Sequence, residues 1–517
     1  MRNIAFSVAT FVMLNAGLTF SQQPSPVKVE QGLLQGTLHD GVIVYKGVPF
    51  AAPPVGKLRW CAPQPPAHWK GVRKADKYSP NPEQVMVKEY GPWTPEYQPQ
   101  GAVSEDCLYL NIWTTAKSSN EKRPVVMYIP GGAFTGGSGN CPVYYGENLA
   151  KKGLVVVTIN YRVGVFGFLA LPSLTKESRH HSSGNYGLLD QLAALKWIHK
   201  NISAFGGDPE RVTIMGQSAG ALSVNYLTAS PLAKGLFIRA IAESGTDFRS
   251  GLGENLNTAE QYGLQFEKAM GTSSLAELRA IPAEELVEST KDKYHFLPIV
   301  DGWFLPKNVN DIFKEGKQND AATITGWVDD EGSFMESYGN VPAEEFRKQV
   351  KQQAGKLADE ILKLYPASTQ AEASSSQKKL ARDISLVSLY LWGINRENTG
   401  RTKLYTYLFI HPQPGATRER YLTFHSSELP YVFDNLNRSP RPWTTKDKKI
   451  EKIMSDYWTN FIRTGNPNGK GLPDWQPFSI TPPETMELGD KMKPAPITSI
   501  EKFEVLKKLL QESGNKN

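Results

Sequence analysis

The segment NISAFGGDPERVTIMGQSAGALSV, Asn201 to Val224, constrains this chain more than any other, because it sets one serine where a strand must break into a helix. Val212 to Met215 is a short apolar, β-branched run that reads as a buried strand, and Ala219 to Thr228 reads as a helix. Between them Gly216 and Gly220 flank Gln217-Ser218-Ala219, so Ser218 has no bulky neighbour two positions away on either side. A G-x-S-x-G turn of this kind lifts the hydroxyl above the sheet. The amide of Ala219 then lies at the helix N-terminus, where unpaired N–H groups and the helix dipole favour negative charge. Ser218 is therefore a candidate nucleophile. The plainer reading is a glycine-rich turn with a solvated serine, in a chain holding 44 glycines.

The sequence on either side argues against the plainer reading. YKGVPFAAPPVGKLRW (Tyr45 to Trp60), SEDCLYLNIW (Ser104 to Trp113), INYRVGVFGFL (Ile159 to Leu169), GNYGLLDQLAALKWI (Gly184 to Ile198) and YWTNFIRTGNPN (Tyr457 to Asn468) resemble the type-B carboxylesterases, the α/β-hydrolases that include cholinesterases and para-nitrobenzyl esterases. The resemblance covers nearly all of the chain beyond its first two dozen residues. It implies an α/β-hydrolase fold, a mostly parallel central sheet flanked by helices with insertions. The β-rich runs Val125 to Ile129 and Leu154 to Asn160, each followed by glycine-rich or helical sequence, fit that alternation.

A chain of 517 residues with 40% hydrophobic content can bury one large core, and residues 22–517 are read as a single domain. A formal charge of +6 with Lys and Arg interspersed among Asp and Glu gives nucleic acid binding little support. Arg2, the apolar stretch Ile4 to Leu18 and the small residues Thr19 and Ser21 read as a signal peptide over residues 1–21, which implies export to the periplasm or the medium. No other run approaches the roughly 20 apolar residues of a membrane span. ASTQAEASSSQKK, Ala367 to Lys379, reads as an exposed low-complexity loop, whereas Ile450, Met454, Tyr457 and Phe461 recur at helical spacing.

A serine hydroxyl needs a base within hydrogen-bond reach and a carboxylate to orient that base. Of eight histidines, His425 stands in FHSSELPYVF, which resembles the family's HxxELxYVF motif; Thr423 and Phe424 replace the usual small residues before it. Asp329, Asp330 and Glu331 are consecutive and composition does not choose among them. TGWVDDEGSF resembles the family segment whose glutamate before glycine is the acid, which implies Glu331 with Asp330 as its neighbour. The chain order Ser218, Glu331, His425 is that of α/β-hydrolases. Ser244, in ESGT, matches a family serine that supports the carboxylate, or is an ordinary turn serine.

MYIPGGAFTGGSG, Met127 to Gly139, resembles the family's HGGG-type loop and implies an oxyanion hole from the N–H groups of Gly132, Ala133 and Ala219. Pro130 before the glycines and Ala133 in place of the third glycine depart from the pattern, and the Ala133 methyl narrows the space beside the acyl carbon. The resemblance also implies charge pairs Arg59 with Glu105 and Arg162 with Asp190. It further implies a disulfide from an upstream cysteine to Cys107. Proline stands where many relatives carry the partner, so Cys61 is the nearest substitute, and the alternative is buried free thiols.

The reading that follows is hydrolysis of small or medium uncharged carboxylic esters, a small-molecule substrate, with no metal or organic cofactor. A non-catalytic binding protein on the same fold, and an esterase dedicated to polymer-linked or plant esters, are the alternatives. The loop Val85 to Val103, rich in Pro, Tyr and Trp, is a place for specificity to reside. Oligomeric state is left open.

Overall fold

The computed structural model describes residues 23–245, 254–291 and 293–514, so the signal-peptide expectation lies outside the described residues. Fourteen strands are found among them: β1 (Val27–Val29), β2 (Gly32–Gln35), β3 (Thr37–His39), β4 (Val42–Pro49), β5 (Val72–Lys74), β6 (Tyr109–Thr114), β7 (Arg123–Ile129), β8 (Val155–Ile159), β9 (Gly207–Gln217), β10 (Arg239–Glu243), β11 (Ala322–Val328), β12 (Leu404–Phe409), β13 (Glu484–Leu488) and β14 (Lys493–Pro496). Eleven form one sheet in the order β14-β13-β12-β11-β10-β9-β7-β8-β6-β4-β3. From β13 through β8 every neighbouring pair is parallel, while the strands at both edges pair antiparallel. The remaining three, β1, β2 and β5, make a small separate sheet.

Parallel strands need crossover segments that cover both faces, so their sequences are apolar throughout rather than alternating. In β7 the side chains of Val125, Met127 and Ile129 enter one core and those of Val126 and Tyr128 the other. The helix Tyr186–Asn201 packs Leu188, Leu192 and Leu195 into the first core, together with Val224 and Leu227 of the helix Ala219–Ala229. On the opposite face the helix Thr445–Thr464 buries Ile450, Met454, Tyr457 and Phe461, the helical spacing read from the sequence. Lysines of the same helix face water.

Both implied charge pairs form. Arg162 Nε and Nη2 donate to the Asp190 carboxylate at 2.8 and 2.7 Å, with both side chains fully enclosed. Burial pushes the Asp190 carboxyl up, and the guanidinium beside it opposes that shift. Removing one partner of such a pair strands a buried charge, a loss of about 3–5 kcal/mol. Arg59 Nε donates to Glu105 at 2.7 Å, and its Nη1 reaches the carbonyls of Arg279 and Ile281 at 3.1 and 2.7 Å, so this pair also ties two distant segments together.

Two expectations are corrected. Ala367 to Lys379 is not a loop: from Gln370 it is the start of a helix running to Thr399. Thr369 caps it by accepting from the Glu372 N–H while Glu372 returns a carboxylate to the Thr369 N–H, and Ala373 and Ser376 are buried one turn apart. Cys61 and Cys107 are unbridged, and all three thiols are free. The positive φ of 57° at Trp60 turns that indole into the core, where it lines a small cavity with Cys107, while Cys61 faces the other way toward the Lys57 carbonyl and Arg279. Thiol titration of unreduced, denatured protein should therefore find all three cysteines reactive, and reductant should leave the melting temperature unchanged. A single reactive thiol would restore the bridge.

Candidate active site

The register of the parallel strands decides which loops meet. Ile129 lies opposite Gly216, Gln217 opposite Glu243, and Glu243 opposite Gly326, so β7, β9, β10 and β11 end side by side at their carboxyl edge. In open α/β sheets that edge is where sites form. Four chain segments leave it within reach of one another: Gly131 to Ala133, Ser218, Ser244, and the turn holding Glu331.

Ser218 adopts φ 60° and ψ −125° between β9 and the helix Ala219–Ala229. A non-glycine residue in this region carries strain of order 1–3 kcal/mol. Packing enforces it: Ser218 N–H donates to the Glu243 carbonyl at 2.8 Å, and the Leu222 N–H returns to the Ser218 carbonyl at 3.0 Å. The two flanking glycines have steric reasons. A Cβ on Gly216 would collide with the Gly220 carbonyl, and a Cβ on Gly220 with the carbonyl of Ile129. Larger residues at either place would force the elbow away from β7.

Gly131 sits directly beside this turn, since a Cβ there would lie 3.1 Å from Ser218 Cβ. The loop continues through positive φ at Gly132 (120°), Ala133 (54°) and Phe134 (60°), anchored by the Gly164 N–H on the Phe134 carbonyl at 2.6 Å. Gly132 and Ala133 are exposed, and Ala219 is the first helical residue, whose N–H has no acceptor within its helix.

Of the three consecutive acids, Glu331 is the one that faces His425. Its Oε1 accepts from Ser244 Oγ at 2.6 Å and from the Val328 N–H at 2.9 Å, and its Oε2 lies 2.5 Å from His425 Nδ1. Asp330 is turned aside: its carboxylate accepts from Tyr338 at 3.0 Å and from the Thr423 N–H, while its backbone bridges Phe424. Asp329 pairs with Arg382. Because a carboxylate only accepts, His425 Nδ1 carries the proton and Nε2 of the neutral ring is the acceptor.

Among the described residues the neighbour of Nε2 at hydrogen-bonding distance is the Gln217 carboxamide nitrogen, at 3.1 Å, rather than Ser218 Oγ. That nitrogen is also 3.5 Å from Nδ1. The ring nitrogens point to different edges, so a group this close to both stands over the ring face, leaving the in-plane lone pair of Nε2 free. Trp93, from the aromatic loop, sets its ring edge-on to the imidazole and donates Nε1 to the His425 carbonyl at 3.1 Å. Glu428 is fully buried beside this group, and neither carboxyl oxygen has a hydrogen-bond partner among the described residues. Burial first, then the nearby Glu243 and Glu331, push its pKa well above the carboxylate range.

The profile of the Carboxylesterase family matches residues 23–506. The chain belongs to the carboxylesterase family. It is 36% identical to fumonisin B1 esterase of Sphingopyxis macrogoltabida over 87% of this chain and 84% of that one. It is 33% identical to para-nitrobenzyl esterase of Bacillus subtilis, over 90% of this chain and 95% of the other. A solved para-nitrobenzyl esterase structure superposes with a TM-score of 0.80 at 32% identity, covering 93% of this chain and 99% of that one. This carboxylesterase therefore has the α/β-hydrolase fold and is a carboxylic ester hydrolase.

Sequence reasoning missed the parts played by Gln217, Ser426 and Trp93. Gln217 and Ser426 lie inside motifs that were read for their neighbours, and the third contact spans 332 positions. Within the carboxylesterase site, burial alone pushes the His425 imidazole down, but the Glu331 carboxylate outweighs it and holds the pKa above its ordinary value of about 6.5. A raised folded-state pKa means tighter proton binding in the fold than in the unfolded chain. The associated stability is present below about pH 6.5 and is lost as pH rises through the folded value. NMR titration of His425 should give a pKa above 6.5 that falls in Glu331→Gln; a value below 6.5 in the unsubstituted protein would reverse the electrostatic account.

Proposed function

We propose that this carboxylesterase works through an acyl-enzyme on Ser218, with His425 as base, Glu331 as the acid that orients it, Ser244 supporting Glu331, and the N–H groups of Gly132, Ala133 and Ala219 as oxyanion donors. The observation that carries the reading is the bonding of Glu331, held by Ser244 Oγ and the Val328 N–H on one oxygen and facing His425 Nδ1 with the other. That fixes the tautomer whose Nε2 can take a proton.

In the first step His425 takes the hydroxyl proton as Ser218 Oγ bonds to the ester carbonyl carbon. The electron pair moves to the carbonyl oxygen, which the three amides receive at the dipole end of the helix Ala219–Ala229. Collapse expels the alcohol, protonated by His425. Water then repeats the cycle on the acyl-enzyme and releases the acid. Glu331 stabilises the imidazolium throughout without taking its proton. Each oxyanion donor contributes about 3 kcal/mol to the transition state.

The substrate reading rests on the cleft beside the oxyanion loop. Ala133, Thr135 and Gly136 form one wall of a cavity of about 620 Å³, continued by apolar Val163, Phe166 and Leu297 and by charged Glu83 and Lys291. Ser218 is not part of its lining, so the cavity suits the acyl or alcohol group rather than the reacting carbonyl. The apolar residues of this lining suit the carbon skeleton of an ester, with Glu83 and Lys291 at hand for a polar group on it. Relatives named for fumonisin B1, para-nitrobenzyl and cocaine esters share the family, and discrimination among such groups falls to this cleft.

Steady-state kinetics on a small uncharged ester test the roles. Ser218→Ala should abolish turnover and Glu331→Gln should lower kcat by several orders of magnitude with the fold intact. Asp330→Asn should lose little, since it faces Tyr338. Equal losses in the two acid variants, or activity surviving in Ser218→Ala, would overturn the assignment.

A further inference from the structure

Gln217 is the last residue of β9 and the neighbour of Ser218, yet its side chain is directed inward, with 2% of the residue exposed. Its carboxamide is oriented by a chain of donors. Trp93 Nε1 donates to Ser426 Oγ at 3.4 Å as well as to the His425 carbonyl, which leaves the Ser426 hydroxyl proton for Gln217 Oε1 at 3.0 Å. The nitrogen end of the amide is therefore the end laid over the imidazole. Ser426 holds φ 76°, a strained backbone for serine that places its hydroxyl in this network. Gly131 closes the other side: a Cβ there would stand 2.7 Å from the Gln217 carbonyl and 3.4 Å from its Oε1.

We propose, on the acyl-enzyme reading above, that Gln217 is a positioning residue for His425, covering one face of the imidazole so that its plane is held with Nε2 directed to Ser218. The amide N–H presents the positive end of its dipole to the ring. That contact favours the electron-rich face of neutral imidazole and disfavours imidazolium. It opposes Glu331, which favours the charged ring through Nδ1. The resting base is thus kept from protonating too readily beside a carboxylate, while the face that Gln217 covers is shielded from water.

Titratable groups reach His425 from the neighbouring elements. The turn after β11 presents Glu331, the buried Glu428 precedes the helix Leu429–Val432, and β12 brings Tyr407 near both acids. Trp93 and Gly131, from the other two loops around the ring, are uncharged. Glu331 is the carboxylate bonded to His425 and Glu428 acts on the ring from further off, so a carboxylate laid over the ring itself would change the charge balance directly.

The test is the pH profile of kcat/KM for three variants, measured beside Ser218→Ala and with thermal midpoints recorded. Gln217→Glu should move the acid limb up by roughly one pH unit or more. Gln217→Ala should lower kcat roughly tenfold to a hundredfold with KM nearly unchanged, as loss of ring alignment demands. Ser426→Ala, which frees the carboxamide, should reproduce part of that kcat loss. A role confined to packing would lower the thermal midpoints and leave the kcat of folded Gln217→Ala and Ser426→Ala at the parent's value. If Gln217→Glu and Gln217→Ala fold and keep the parent's profile and kcat while Ser218→Ala is inactive, the inference about Gln217 falls and the acyl-enzyme reading stands. If Ser218→Ala stays active, the acyl-enzyme reading itself has failed.

Discussion

The site depends on one strained residue. Ser218 holds a backbone conformation that side chains avoid, and it can do so because glycines at 216 and 220 let the turn pack against the carbonyls of β7 and of the helix it begins. The cost of order 1–3 kcal/mol is offset by a core to which six of the seven parallel strands contribute side chains on both faces. A looser scaffold would relax the elbow, lowering the hydroxyl toward the sheet and moving the Ala219 amide out of line.

The strand register then brings the remaining groups to that serine. Because β10 is level with β9 and β11, Ser244 leaves its strand between Ser218 and the Glu331 turn, and one hydroxyl can orient the carboxylate. Electrostatics follows from the same enclosure. Burial works against charge on the imidazole and on Glu428 alike, and the carboxylate that bonds His425 and most favours its charged form is Glu331. Gln217 places a dipole against that charge on the ring's open face.

Much of this was legible in the sequence because it is local. The strand, elbow and helix around Ser218 follow from β-branched residues, two glycines and a following helical run, and the amphipathic spacing of Ile450 to Phe461 marks a real buried face. The choice of Glu331 over Asp330 was not local: it turns on a backbone bridge between Asp330 and Phe424, and only family resemblance pointed to it. The segment after Ala367 was misread because serines and alanines look like loop composition, although Thr369 and Glu372 spell a capping box. The free thiols depended on which way Trp60 turns the chain, and the imidazole's surroundings on contacts 208 and 332 positions apart. Neither carries a periodic signal.

The central claim is that Ser218 is activated for attack on a carbonyl, and a fluorophosphonate reports on it directly because its tetrahedral adduct imitates the acyl-transfer transition state. Folded protein should take up one equivalent, lose ester hydrolysis in parallel, and yield a labelled peptide containing Gly216 to Gly220 by mass spectrometry. Label on a different serine, or full activity in protein labelled at Ser218, would contradict the account.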